Sequence, residues 1–190
     1  MKLLFSLILG CSVATGASLG ITVRVLNLAH VPARTLSGAQ ATATGIFKRS
    51  GVDIAWVDCG APDTCKGDTG PTEFWLQLLE KPPATFRGDI MGFALLTHLP
   101  LNDGGYAAVS WQAVRVLVDS MKVDSVPVMG AAIAHELGHL LLGSHQHSRD
   151  GVMASRLGRA QLALAARGGL MFNDAQGEAI RREIQRRGEQ

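Results

Sequence analysis

Residues 134–153 read AHELGHLLLGSHQHSRDGVM. The stretch opens with His135-Glu136-Leu137-Gly138-His139, the H-E-x-x-H pattern. On a helix, side chains four residues apart lie one above the other on the same face. His135 and His139 can therefore both turn a ring nitrogen toward one ion. Zinc suits neutral imidazole, with bonds of roughly 2.0–2.1 Å. Glu136 stands beside the first histidine and can reach a water at the metal without ligating, which is the position of a general base.

The surroundings of the motif agree with this. Residues 128–142 carry no charge except Glu136, and Ile133, Leu137, Leu140 and Leu141 give the segment an apolar side. A carboxylate on a buried helix is costly and needs a reason. The bland alternative is a buried helix that carries two histidines by chance. Ser125 and Pro127 are the expected start signals and Gly143 the expected stop. A catalytic zinc takes three protein ligands and keeps one open position. Beyond the helix stop the chain offers His145 and His147.

Taken together, these residues resemble the metzincin pattern H-E-x-x-H-x-x-G-x-x-H, which is followed by a Met-turn. His145 has the metzincin spacing from His135, and Met153 follows as the Met of the turn. The departure is the glycine: Leu142 stands where the pattern has it, and Gly143 comes one residue late. The stretch is also similar to small secreted bacterial proteins of metzincin type, with a pattern like HELGHLLLGS-x-x-HS-x-x-G-[IV]-M. His147-Ser148 and Gly151-Val152-Met153 match that pattern.

The second resemblance implies His147 as the third ligand, with His145 as the alternative. It implies zinc as cofactor and a protein or peptide as substrate. It also implies a zinc-dependent endopeptidase in which Glu136 activates the water and Met153 lies beneath the metal as an apolar floor. Some metzincins place a tyrosine just after the Met-turn as an extra ligand or oxyanion stabiliser. Ala154 and Ser155 follow Met153 here, so that role has no occupant. The competing reading from another class is a non-catalytic metal-binding or interaction module on the same scaffold.

With 190 residues, the chain has the length of one domain. Its 47% hydrophobic and 18% charged residues supply a core and argue against global disorder. A net charge of +2 with no basic cluster beyond the last helix gives no nucleic-acid surface. Lys2, the apolar run 3–9 and the small residues 14–17 read as a signal peptide over residues 1–17. The catalytic domain would then occupy 18–190. The apolar run is too short for a stable membrane span. The expectation is a secreted or periplasmic monomer. A second reading anchors it by lipid through Cys11, since Ile8-Leu9-Gly10-Cys11 resembles a lipobox. Cys59 and Cys65 bracket a short polar loop and are expected to form a disulfide, in keeping with export.

Periodicity predicts strands over 21–28, 52–58, 73–79, 90–97 and 107–110, the last of edge type. Helices are predicted over 33–48, near 111–121, and over 126–142, 159–166 and 173–187, with Asp174 as the cap of the last. Strand–helix–strand at the front implies parallel neighbours. The fold class is α+β (α/β mixed). The order resembles a metzincin-like catalytic domain, with a mixed sheet of about five strands, an upper helix, a zinc helix, a Met-turn and a C-terminal helix. His30 and His98 read as loop histidines, and Trp56, Trp75 and Trp111 as core residues. Arg181, Arg182, Arg186 and Arg187 complement the dipole of the last helix.

Overall fold

Segments 19–27 and 73–79 largely carry the period of two that a half-buried strand requires. The computed structural model describes residues 19–60, 65, 70–83, 91–96 and 105–189. The expected targeting segment 1–17, with Cys11, and His98 lie outside them. Strand β1 (Leu19–Asn27) turns Ile21, Val23 and Val25 into the core. Helix α1 (Ala33–Arg49) carries the chain to β2 (Val52–Cys59), which pairs parallel with β1. Strand β3 (Glu73–Leu79) lies parallel on the other side of β1 and buries Phe74, Leu76 and Leu78.

The last two strands are β4 (Gly92–Leu95) and β5 (Tyr106–Ser110). The sheet order is β2-β1-β3-β5-β4, with β4 the antiparallel member. This is a mixed five-stranded sheet of an α+β fold, as expected. The placement of the edge differs from the sequence reading. Segment 107–110 is internal, and β4 closes the sheet. The reason is burial: Ala107, Ala108, Val109 and Ser110 are all buried, while Leu95 of β4 is 45% exposed. Strand β4 is also shorter than the predicted 90–97.

Helix α2 (Trp111–Met121) follows β5 directly, with the Ser110 hydroxyl capping it through the Ala113 N–H at 3.2 Å. Helix α3 (Ser125–Leu142) then runs through the core and buries Val128–Ala134 and Leu137–Leu141. Its N-cap is Asp124, one residue before the expected Ser125. The carboxylate accepts from the Val126 N–H at 2.7 Å, which the shorter Ser125 side chain inside the first turn does not do. Among the described residues, α3 is the one helix long and apolar enough to cross a membrane, but 78% of it is buried within the protein. It crosses α1 at Gly130, where a Cβ would come within 2.4 Å of the Thr42 Cβ and 2.8 Å of the Ala39 carbonyl. Only a glycine permits that approach.

Helix α4 (Arg159–Ala166) and helix α5 (Asp174–Gly188) complete the chain. The cap of α5 is Asn173, not Asp174. Asn173 and Gln176 form a reciprocal capping box that satisfies two N–H groups at once. The arginines of α5 do more than complement a dipole. Arg181 donates to the Ser50 carbonyl, and Arg187 donates to the Pro71 carbonyl and packs over the Phe74 ring.

Cys59 and Cys65 are joined in a disulfide, with Cα atoms 5.6 Å apart. Closing so short a loop contributes roughly 2–3 kcal/mol in chain-entropy terms. Trp56 and Trp111 are half-buried against the core. Trp75 stands on the outer face of the sheet under the Arg24 guanidinium.

Candidate metal centre

Helix α3 ends because Gly143 takes the left-handed region, φ 59°. Leu142, where the metzincin pattern has its glycine, remains helical. Beyond the stop, the chain is tied back to the helix at two carbonyls. The His139 Nδ1–H donates to the Ser144 carbonyl at 2.7 Å, and the His135 Nδ1–H donates to the Val152 carbonyl at 2.8 Å. A carbonyl can only accept, so both rings carry their proton on Nδ1 when neutral. Their Nε2 atoms then present lone pairs to each other, 3.0 Å apart. Burial keeps the rings neutral: it pushes His135 down to about 4 and also lowers His139. Two lone pairs held face to face repel unless a cation lies between them, and bonds of roughly 2.0–2.1 Å span such a gap.

The third imidazole arrives through a backbone pairing. The Ser148 N–H donates to the Met153 carbonyl at 2.8 Å, and Ser148 bridges to Ala154. This pins residue 148 and sets His147 against the helix. Its ring stacks on His135 at 5.2 Å and stands edge-on to His139 at 5.1 Å. The ligand atoms of His135, His139 and His147 lie within 4.8 Å of one another. Among the described residues, no other group of three could hold a metal. His145 is outside this group, though its ring lies 5.9 Å from that of His139.

Met153 is fully buried under the motif. A Cβ on Gly138 would lie 2.6 Å from its Sδ and 2.8 Å from the Phe172 ring, so the glycine lets the turn close against the helix.

Glu136 is 6% exposed and makes no ion pair among the described residues. Burial alone pushes its carboxyl up to about 8. It lies against Gly92 of β4. A Cβ there would come within 2.7 Å of the Glu136 Oε1 and 2.6 Å of the Ala108 carbonyl. Since a backbone carbonyl cannot give way, Gly92→Ala is expected to displace the carboxylate. Misplacement of a reacting group by about 1 Å can cost roughly 10²-fold. Any reaction that uses this carboxyl should slow by about that factor while the metal content of the variant stays unchanged.

In metal-free protein the two shifts have opposite consequences. Between pH 4.5 and 6.5, unfolding takes up a proton at His135 and releases one from Glu136, so the effects oppose. Above 6.5, only the raised carboxyl differs between the states. Its stabilising contribution is complete below the ordinary value of 4.5 and is lost as pH rises through about 8. Chelated protein should therefore lose stability from pH 6.5 to 8, and Glu136→Gln should flatten that slope. Urea midpoints at the two pH values measure it.

The histidines and Glu136 open into a cleft of about 830 Å³. Part of its wall, Ala154–Gly158, lies where the sequence places it, directly after Met153. The rest was not legible. Met91–Ala94 of the β4 edge form a second side, and Leu117 and Met121 of α2 a third. The amphipathic spacing of α2 was the available signal, but it reads as ordinary core packing. Tyr106 does not line the cleft; its hydroxyl donates to the Gln77 side chain at 2.8 Å. His30 is an exposed residue with φ 51° on the turn after β1.

No family model matches the sequence, and no curated relative does. Among solved structures, the fold is similar to the crystal structure of metalloproteinase-II from Bacteroides fragilis. The TM-score is 0.54 at 13% identity, over 88% of this chain and 53% of that one. The fold is metalloproteinase-like. This chain spans about half the length of that protein, and at 13% identity the likeness concerns the fold alone.

Proposed function

We propose that this protein is a zinc-dependent endopeptidase of metzincin type, exported after removal of residues 1–17. The observation that carries the reading is the junction of three elements in one cleft: the imidazole group, the buried Glu136 and the end strand β4 of the described sheet. A non-catalytic metal module has no use for a carboxyl buried without a charge partner, nor for a substrate-wide groove along a sheet edge.

Three neutral imidazoles with an open fourth position suit zinc. His135, His139 and His147 would hold the ion. Val152 and Ser144 keep the first two rings in the ligating tautomer, the role of an outer hydrogen-bond partner. When bound, zinc supplies Lewis-acid chemistry, polarising a carbonyl and making water easier to deprotonate.

The remaining roles fall to the chain itself. An extended peptide adds beside β4, the terminal strand of the sheet among the described residues. Glu136 takes a proton from the attacking water and passes it to the leaving amine. A neighbouring cation brings its carboxyl down from about 8 toward the ionised form that a base requires. Apolar side chains of α2 and β4 exclude water from the bound segment.

The test is a peptide-library digest with the purified protein, with and without chelator, alongside elemental analysis. The reading expects about one zinc per chain and cleavage that stops with chelator and returns with zinc. A clean preparation that neither loads zinc nor cleaves any peptide overturns it.

A further inference from the structure

Peptide hydrolysis creates a charge that neither Glu136 nor a Met-turn tyrosine can meet here. As the carbonyl carbon becomes tetrahedral, its oxygen turns negative. We propose that His145 donates a hydrogen bond to that oxygen and is a second catalytic residue of this cleft. The inference rests on the peptidase reading given above.

Three observations place His145 in this role. Its ring lines the same cleft as Glu136 and the metal-binding group, 5.9 Å from the His139 ring and tilted 51° to it. It stands outside the group of three whose ligand atoms converge. Its ring nitrogens make no hydrogen bond among the described residues, whereas His135 and His139 each commit an N–H to a carbonyl. An imidazole that is neither a ligand nor internally satisfied, and that faces the reacting space, has a donor to offer. Ser155 and Arg156 also line the cleft, but neither hydrogen-bonds to the histidine group, and no ring contact ties them to it.

The local backbone holds residue 145 in place. Ser144 is anchored through its carbonyl to His139, and its hydroxyl accepts from the Gln146 N–H at 3.1 Å. His145 lies between these two fixed neighbours. A donor set in position before the reaction needs no reorganisation as charge develops, which is what makes such groups effective. Imidazole keeps an N–H whether neutral or protonated, so the role does not depend on its titration.

The step balances without a proton from His145. The water oxygen bonds to the carbonyl carbon and its proton passes to Glu136. The π pair of the C=O moves onto the oxygen, which receives the His145 hydrogen bond. The C=O then re-forms, the C–N bond breaks, and the amine leaves with the proton that Glu136 held.

The test compares zinc-loaded wild type with His145→Phe and His145→Asn, using a peptide that wild type cleaves. His145 is exposed on a loop, so the variants should fold. His145→Phe should keep its zinc and its KM while kcat falls by about 10²–10³, the usual cost of one such donor. Affinity for a phosphinic analogue of that peptide, measured by calorimetry, should fall by a similar factor, and affinity for the cleavage product should not change. His145→Asn retains an N–H and should recover part of both losses.

Loss of zinc from His145→Phe would make His145 a ligand and overturn the assignment. Unchanged kcat and analogue affinity would do the same, as would equal weakening for analogue and product. A wild type that holds zinc yet cleaves nothing overturns the peptidase reading itself, and this assignment with it.

Discussion

Glu136→Gln is expected to retain the metal and to lower peptide cleavage by about 10²–10⁴-fold, the usual contribution of a general base. Gln has nearly the volume of Glu and fits the same space against Gly92, so the change removes a proton acceptor and little else. His135, His139 and His147 do not hydrogen-bond to the carboxyl, and the two carbonyls that orient the rings belong to Val152 and Ser144. The imidazole group should therefore persist in the variant. The glutamine should also stabilise the metal-free protein at pH 8, because a buried carboxyl then no longer ionises. Zinc analysis, steady-state cleavage and urea unfolding of one preparation provide all three readings. Unchanged turnover would assign the base to another residue.

His147→Ala is expected to empty the metal site and abolish cleavage, whereas His145→Ala keeps its zinc. Removing one of three ligands leaves two imidazoles, one short of the three protein ligands that a catalytic zinc takes. Even the loss of an outer hydrogen-bond partner of a ligand costs only about 10–100-fold in affinity, which saturating zinc overcomes, and His145 makes no such bond among the described residues. The structure gives the two histidines different surroundings. His147 contacts both helical histidines, whereas His145 contacts His139 and lies outside the converging set. Zinc titration of the two variants, read by elemental analysis after gel filtration, separates them. Retention of metal by His147→Ala and its loss from His145→Ala would restore the ordinary metzincin spacing.

Much of the fold was legible because its signals are local. The β-branched run of β1, the apolar spacing of α1 and the turn residues between them are read within a few positions of each other, and the elements lie close to where they were expected. Caps were placed to within one residue. Asp124 and Asn173 take the positions because their side chains reach the second or third N–H, and adjacent polar residues are hard to tell apart by type alone. The edge of the sheet was assigned to the wrong strand. Short segments carry no mark of their partners, and only the burial of Ala107–Ser110 on both faces shows that β5 is internal.

The sequence by itself determined the pairing of His135 with His139 and the place of Glu136 beside them, since helical geometry makes residues four apart neighbours whatever the rest of the chain does. It also determined the α+β class and the pairing of Cys59 with Cys65, which bracket a short polar loop. The resemblance favoured His147 over His145, and the tertiary structure sets His147 beside both helical histidines, through the Ser148 N–H on the Met153 carbonyl. Tertiary structure alone decided that β4 would face Glu136 across Gly92, and that α2 would wall the cleft with Leu117 and Met121. These contacts join segments far apart in the chain, and no local propensity encodes which of them will meet.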